Sequence, residues 1–169
     1  MLRVNDCVSM PTPPVVEVGD EISLIARTTP SPVEPVLYRV GDFKTSLVEI
    51  PIDPQTGAVR GIRLVNIGRA SRTFAWEKIE RKVGLPVLAK EDVPSSPLDE
   101  TRDLNVGLVG DAFIVDWGAP LAGKWELLGQ GRLHFLIGDG MVQGAVISNL
   151  APNEVESLKL HISRAPQFE

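Results

Sequence analysis

The sequence predicts an α+β domain that is built mainly of antiparallel sheet. Several short segments alternate apolar and polar residues and are separated by Gly, Pro and Asp, as is typical of half-buried strands joined by tight turns. Two of these strand-turn-strand segments run into a pattern of period 3.6, which indicates an amphipathic helix. Strands and helices do not alternate regularly, so the pattern does not favour a parallel sheet.

Two predicted hairpins resemble each other in sequence. The segments GAVRGIRLVNI (57–67) and GMVQGAVISNL (140–150) align without a gap, 83 positions apart. The identical pairs are Gly57 and Gly140, Val59 and Val142, Gly61 and Gly144, and Asn66 and Asn149. One interpretation is an internal duplication of a hairpin with its helix. The other is convergence, because short hairpins have similar compositions, and the sequence leaves both open.

The first hairpin is expected to begin with SLVEIPI (46–52), in which apolar residues alternate with Glu49 and Pro51. The turn DPQTG and a return strand follow. Gly61 interrupts the alternation of the return strand, which indicates a bulge or the close approach of another backbone. In the second hairpin, RLHFLI (132–137) is followed by the turn Gly-Asp-Gly, and Asp-Gly between apolar runs strongly favours a hairpin.

Each hairpin is expected to lead into a helix. The first helix covers 71–84, with Ser71 as its N-cap and Gly84 at its end. The second begins with Pro152, which suits the first helical position because it has no N–H to leave unbonded. The apolar residues of each helix are spaced three and seven positions apart, namely Trp76, Ile79 and Val83 in the first and Val155, Leu158 and Ile162 in the second.

Together these elements predict a single domain, 1–169, with two ββα halves at about 33–84 and 107–165. The segment 85–103 contains three prolines, two adjacent serines and five carboxylates, so we expect a Pro-rich acidic linker there. Further single strands are expected at 20–28, 35–40, 108–118 and 123–129.

The composition limits the classes of partner. The net charge is −5, which is unfavourable for binding nucleic acid or an anionic membrane and suits a basic partner. Cys7 is the single cysteine, so no intrachain disulfide can form, as expected in a reducing compartment such as the cytoplasm. The N-terminus lacks the pattern of a signal peptide. The longest apolar stretch contains Asp111 and Asp116 and is a poor membrane span.

Motifs of the common enzyme classes are missing. The two histidines and the cysteine do not have the spacing of zinc ligands, and no G-x-S-x-G elbow presents a serine. The glycines at 138–144 lie between two predicted strands, whereas a phosphate-binding loop joins a strand to a helix. The sequence therefore predicts a protein without catalytic residues, metal or cofactor. His134 and His161 are interpreted as structural or solvated side chains.

The acidic linker is the best candidate for a binding surface. It carries Glu91, Asp92, Asp99, Glu100 and Asp103, and between Glu91 and Asp103 the only basic residue is Arg102. Glu77 and Glu80 of the first predicted helix are a second choice. One interpretation of the run is a solvated loop. The other is a docking surface for a basic protein, since complementary charge accelerates and orients protein association.

The segment LVEIPIDPQTGAVRGIRLVNI (47–67) resembles a recurrent element of small bacterial immunity proteins from polymorphic-toxin and contact-dependent growth inhibition systems. The strand-to-helix junction ISNLAPNEVE (147–156) is similar to the same element. The resemblance covers about a third of the chain and brings no catalytic residue with it. It implies a small cytoplasmic protein that binds a cognate toxin, often a nuclease with a basic cleft, and blocks its activity.

Two other functions are compatible with the sequence. One is a scaffold or accessory protein of a phage or secretion system, which would also be acidic and poor in motifs. The other is a small-molecule-binding or enzymatic α+β domain, which requires that Asp111, Asp116 and His134 converge in a large pocket. The product of the neighbouring gene would separate the first of these from an immunity protein.

Overall fold

A computed structural model of the chain describes residues 2–19, 23–67, 76–118 and 125–164. These residues form fourteen strands, one α-helix, α1 (Pro152–Arg164), and two short 3₁₀ turns, Trp76–Lys78 and Lys90–Asp92. The strands are β1 (Leu2–Val8), β2 (Val15–Glu17), β3 (Leu24–Arg27), β4 (Val36–Gly41), β5 (Leu47–Ile52), β6 (Gly61–Asn66), β7 (Glu80–Val83), β8 (Leu85–Leu88), β9 (Leu98–Thr101), β10 (Asn105–Val109), β11 (Ala112–Asp116), β12 (Trp125–Gln130), β13 (Leu133–Gly138) and β14 (Met141–Ile147).

The strands form two sheets with the same internal order. The first sheet runs β2-β3-β6-β5-β4-β9, and only β9 is parallel to its neighbour. The second runs β10-β11-β14-β13-β12-β7, and β7 is parallel to β12. In the second sheet β1 also pairs with the start of β14 and carries β8 on its other side. In each sheet, therefore, five antiparallel strands are extended by one parallel strand at the edge.

Both sheets and the helix contribute to one buried cluster. Alternate residues of the central strands point inward, as Tyr38 and Val40 of β4 do in the first sheet and Phe113 and Val115 of β11 in the second. Leu158 of α1 is fully buried in the same cluster. A second cluster covers the outer face of the second sheet and consists of Trp76, Ala112, Ile114, Leu127, Leu136 and Val146, with Ile79 and Trp125 packed against it.

The α+β prediction with two ββα units is wrong. The structure is mostly β, and α1 is the one α-helix of the described residues. The second hairpin does lead into α1, which begins at Pro152 and presents Leu158 to the core, with Val155 and Ile162 partly buried beside it. Between the first hairpin and β7, the described residues form no α-helix and include the 3₁₀ turn Trp76–Lys78.

The segment expected to be the first helix contains a strand. Residues 71–75, including the proposed N-cap Ser71, lie outside the described residues, and 76–78 form a 3₁₀ turn. Glu80–Val83 pair in parallel with Glu126–Gly129, so β12 provides the hydrogen-bond partners that a helix would have found within itself. Of the predicted apolar face, Trp76 is buried, whereas Val83 is 75% exposed.

The segment 85–103 is not a loop between two halves. It contains β8, which pairs with β1, and β9, which pairs with β4. Pro86 lies within β8, and its carbonyl accepts the backbone N–H of Val59 (2.8 Å). The predicted strand at 108–118 is also divided. A turn at Gly110 and Asp111 makes β10 and β11 a hairpin.

The other strand predictions are confirmed where the chain is described. The segment 20–28 contains β3, whose Leu24 and Ala26 are buried, although Ile22 lies outside the described residues. The segments 35–40 and 123–129 contain β4 and β12. Both repeated segments form the turn and return strand of an antiparallel hairpin, β5–β6 and β13–β14.

The matched glycines of the repeat occupy equivalent positions. Gly57 and Gly140 lie in the two turns with φ of 76° and 78°. Gly61 and Gly144 each lie against a neighbouring strand. A Cβ on Gly61 would be 2.1 Å from the carbonyl oxygen of Ala26, and a Cβ on Gly144 would be 2.4 Å from that of Val115. The expected close approach of another backbone is therefore confirmed.

The residue before each of these two glycines bulges from its strand in the same way. The carbonyl of Arg60 accepts the N–H of Thr28 (3.0 Å), and the carbonyl of Gln143 accepts the N–H of Trp117 (2.9 Å). The repeat in the sequence therefore corresponds to equivalent hairpins inside two sheets of the same strand order, and the repeated architecture is larger than the hairpin.

Helix α1 spans the gap between the two sheets. Glu154 accepts a hydrogen bond from Arg132 (2.6 Å) near the end of the second sheet, and His161 contacts the carbonyl of Gly19 (2.6 Å) next to β2. In the part of the chain that the structure describes, no helix has the length and apolarity needed to cross a lipid bilayer.

Candidate functional site

The fold divides the predicted acidic run between two places. Glu91 and Asp92 lie in the 3₁₀ turn that follows β8, next to the second sheet. Asp99 and Glu100 lie in β9, the outermost strand of the first sheet, and Asp103 follows it. The run is therefore not one continuous surface, because the strand pairing of 85–103 attaches its two ends to different sheets.

At β9, two carboxylates have arginine partners. Asp99 accepts two hydrogen bonds from Arg39 of β4, both 2.7 Å long, and its side chain is 48% exposed. Glu100 is bound by Arg102 (2.7 Å) and by the hydroxyl of Tyr38. Burial would raise the pKa of Glu100, but the hydroxyl of Tyr38 and the charge of Arg102 lower it below its usual value. Glu100 therefore stays ionised and serves the fold.

Burial raises the pKa of Tyr38 above its usual range, and its hydrogen bond to Glu100 raises it further. The phenol is therefore neutral over the whole physiological range and donates its proton to the carboxylate. This pair joins the inner face of β4 to the outermost strand, so it holds β9 in place.

At the β8 end of the run the arginine contact is longer. Asp92 lies 3.7 Å from the guanidinium of Arg3 in β1, whereas Glu91 is exposed. Glu80, one of the two reserve residues, is exposed on β7, while the side chain of Glu77 lies outside the described residues. The β9 end thus has two carboxylates paired with arginine, Asp99 and Glu100, and the exposed Asp103, whereas the β8 end has one paired carboxylate, Asp92, and the exposed Glu91.

The alternative site of Asp111, Asp116 and His134 does not form. Asp111 is exposed in the turn before β11, and Asp116 lies at the opposite end of that strand. His134 lies on β13, which β14 separates from β11. Because the three side chains belong to distant places on the second sheet, they cannot act on one ligand.

Asp116 is 8% exposed and accepts a hydrogen bond from the side-chain amide of Asn105 (3.0 Å). Burial raises its pKa, and the bond from Asn105 only partly opposes that change. A carboxyl whose pKa is higher in the folded state destabilises the fold as the pH rises from the unfolded pKa, about 3.9, through the folded one. The buried charge of Asp116 is therefore a cost to the fold at neutral pH.

We expect Asp116→Asn to stabilise the protein at pH 7, by an amount on the order of 1 kcal/mol, because the amide keeps an acceptor for Asn105 without the buried charge. Thermal melts of both proteins from pH 3 to 8 measure the difference, which should vanish near pH 3. A variant that is less stable than the parent at pH 7 would contradict this assignment.

The surroundings of His134 indicate a structural side chain. Burial and the nearby charge of Arg81 lower the pKa of His134, which keeps the imidazole neutral. The ring lies against Gly129 of the neighbouring strand, where a Cβ would be 2.2 Å from Nδ1. Among the described residues, no group of three or more His, Cys, Asp or Glu side chains is placed to hold a metal ion.

A cavity of about 270 Å³ lies near the turn of the second hairpin. Its lining includes Glu126, Ile137, Asp139 and Gly140. The carboxylate of Glu126 already pairs with Lys82 (3.1 Å), so this cavity offers little to a charged ligand. The exposed carboxylates at β9 remain the better candidate for a site.

The partners of the acidic residues could not be predicted from the sequence. Arg39 lies 60 positions before Asp99, and Arg3 lies further still from Asp92. No local pattern connects them, because the pairs depend on the parallel pairing of β4 with β9 and on the pairing of β1 with β8.

Comparison with known proteins adds no relative. No protein-family model matches the chain, and no curated protein matches its sequence.

Proposed function

We propose that the protein is a cytoplasmic immunity protein that binds a basic toxin domain and blocks its activity without catalysing a reaction. The observation that supports this most is the position of Asp99 and Asp103 at the edge of the first sheet. Asp99 is held rigidly by Arg39 and remains 48% exposed, and Asp103 is exposed directly after the same strand.

A rigidly held, partly exposed carboxylate such as that of Asp99 suits the recognition of Lys or Arg side chains. A fixed side chain loses little conformational entropy when it binds, so more of the interaction remains as affinity. The net charge of −5 adds long-range attraction to a basic partner. The resemblance of 47–67 to immunity proteins supports the same function, and it names the partner class as a toxin domain.

The structure supplies a matched test, because at each end of the acidic run one arginine-paired and one exposed carboxylate can be neutralised together. The β9 variant combines Asp99→Asn with Asp103→Asn, and the β8 variant combines Asp92→Asn with Glu91→Gln. Both variants lose two negative charges and one arginine pair, so they change long-range attraction equally. The difference between the affinities of the two variants therefore reports the local contact with the partner.

We expect the β9 variant to bind the product of the upstream gene about ten-fold more weakly than the parent, and the β8 variant about two-fold more weakly. Isothermal titration calorimetry with the purified gene product measures both, and thermal melts verify folding. Equal losses would show that the contact is not at β9. If the parent protein does not bind the gene product, the proposed immunity function is wrong and the scaffold function takes its place.

A further inference from the structure

The outer face of the first sheet carries one row of charges of alternating sign. Strand pairing places Arg63, Glu49, Arg39 and Asp99 side by side across four neighbouring strands. Each neighbour has the opposite charge, with Arg63 3.6 Å from Glu49 and Arg39 2.7 Å from Asp99. The inner residues of these strands, such as Tyr38 and Ile50, are buried, so the row faces outward.

The same row of the second sheet is built differently. Across β14, β13, β12 and β7, the residues at the equivalent positions are Val146, His134, Gly129 and Val83, each paired with the next. Val146 is buried in the cluster that includes Trp76. In the first sheet the side chains of Arg39, Arg63 and Asp99 are 36%, 46% and 48% exposed, and that of Glu49, between the two arginines, is 13% exposed. In the second sheet this row is thus partly covered by the chain itself, although Val83 at its end is 75% exposed, whereas in the first sheet the row is charged.

The charged row is complementary to itself. Consider a two-fold axis that runs parallel to the strands, above the outer face and midway between β4 and β5. Rotation about this axis places the face of a second copy against the first, with the order of its four charges reversed. Arg39 of one copy then faces Glu49 of the other, and Asp99 faces Arg63. Beside this row, Leu37 pairs with Pro51 within the sheet. The same axis places Leu37 opposite the second copy's Pro51, so apolar side chains meet apolar side chains.

We infer that this face, formed by Leu37, Arg39, Glu49, Pro51, Arg63 and Asp99, binds a second copy of the chain in a face-to-face dimer. The two sheets pack in the aligned manner of β-sandwiches. Four strands span about 15 Å, which is a small interface, so the dimer belongs to the weak class and forms at micromolar concentrations. This inference does not rest on the proposed toxin-binding function.

Two charge reversals test the dimer without any partner protein. Arg39→Glu places a negative charge opposite the second copy's Glu49, and Glu49→Arg places a positive charge opposite the second copy's Arg39. Each variant alone should dimerise at least ten-fold more weakly than the parent, because two like-charged contacts form across the axis. In an equimolar mixture, both contacts become pairs of opposite charge, and dimerisation should recover to within about three-fold of the parent.

Sedimentation velocity over a range of concentrations measures the dimer, and thermal melts show that both variants are folded. The control variants are Glu156→Arg and Lys159→Glu, which reverse an exposed pair on α1 and should leave dimerisation unchanged, alone or mixed. A parent protein that stays monomeric at 1 mM, a figure of the order expected to saturate a weak dimer, would overturn the inference. So would a mixture that remains as monomeric as its components.

Discussion

Gly61→Ala is expected to destabilise the fold by about 2–6 kcal/mol. A Cβ at this position would lie 2.1 Å from the carbonyl oxygen of Ala26, so β3 and β6 would have to separate. Such overpacking costs about 1–3 kcal/mol. The backbone at Gly61 also has a φ of 149°, which adds strain of about 1–3 kcal/mol for any residue with a side chain. Urea denaturation of parent and variant measures the loss.

Two further glycines separate the causes of this loss. At Gly144 a Cβ would be 2.4 Å from the carbonyl of Val115, without the positive φ, so Gly144→Ala should cost about 1–3 kcal/mol. At Gly110 the φ is 60° and no atom lies within 4 Å, so Gly110→Ala should cost about 1 kcal/mol. If Gly61→Ala were no more destabilising than Gly110→Ala, the close packing of β3 against β6 would be refuted.

Leu158→Ala is expected to destabilise the protein by about 2–5 kcal/mol, the range for removing a large aliphatic side chain from a packed core. Leu158 is fully buried in the cluster that both sheets share, and Val155 and Ile162 pack beside it. Because α1 spans the gap between the sheets, the cavity would weaken the contact of each sheet with the helix.

Leu160→Ala is the matched control, since it makes the same chemical change in the same helix and alters helix propensity equally. Leu160 is 54% exposed, so its replacement should cost less than about 0.5 kcal/mol. Equilibrium denaturation of the two variants side by side gives the difference. Similar losses for both would mean that α1 does not dock through Leu158.

The candidate site was only partly predictable. The sequence identified Asp99 and Asp103 as members of an acidic run, but it also joined them to Glu91 and Asp92, which the fold places beside another sheet. It did not predict that Arg39 fixes Asp99. Part of the charged row could be predicted from the sequence, because Glu49 and Arg63 occupy polar positions of two strands that a predicted turn brings together.

Local patterns by themselves determined the two hairpins, their equivalent glycines and helix α1. In each case the elements that pair are close in the chain, and alternation, turn residues and helix spacing report such pairing directly. Gly61 shows the limit of this information. The sequence indicated a close approach there, but only the tertiary structure identified β3 as the neighbour.

The secondary structure of residues 76–103 was determined by tertiary pairing alone. Their helical and loop-like patterns gave way to strands because β7, β8 and β9 pair with partners that are distant in sequence, β12, β1 and β4. Such pairing provides the backbone hydrogen bonds that a helix or a turn would otherwise have provided. Its stability depends on a partner strand that lies far away in the sequence, so no local segment of the sequence reveals it. The distant pairing made a mostly β protein from a chain whose local patterns favoured two helices.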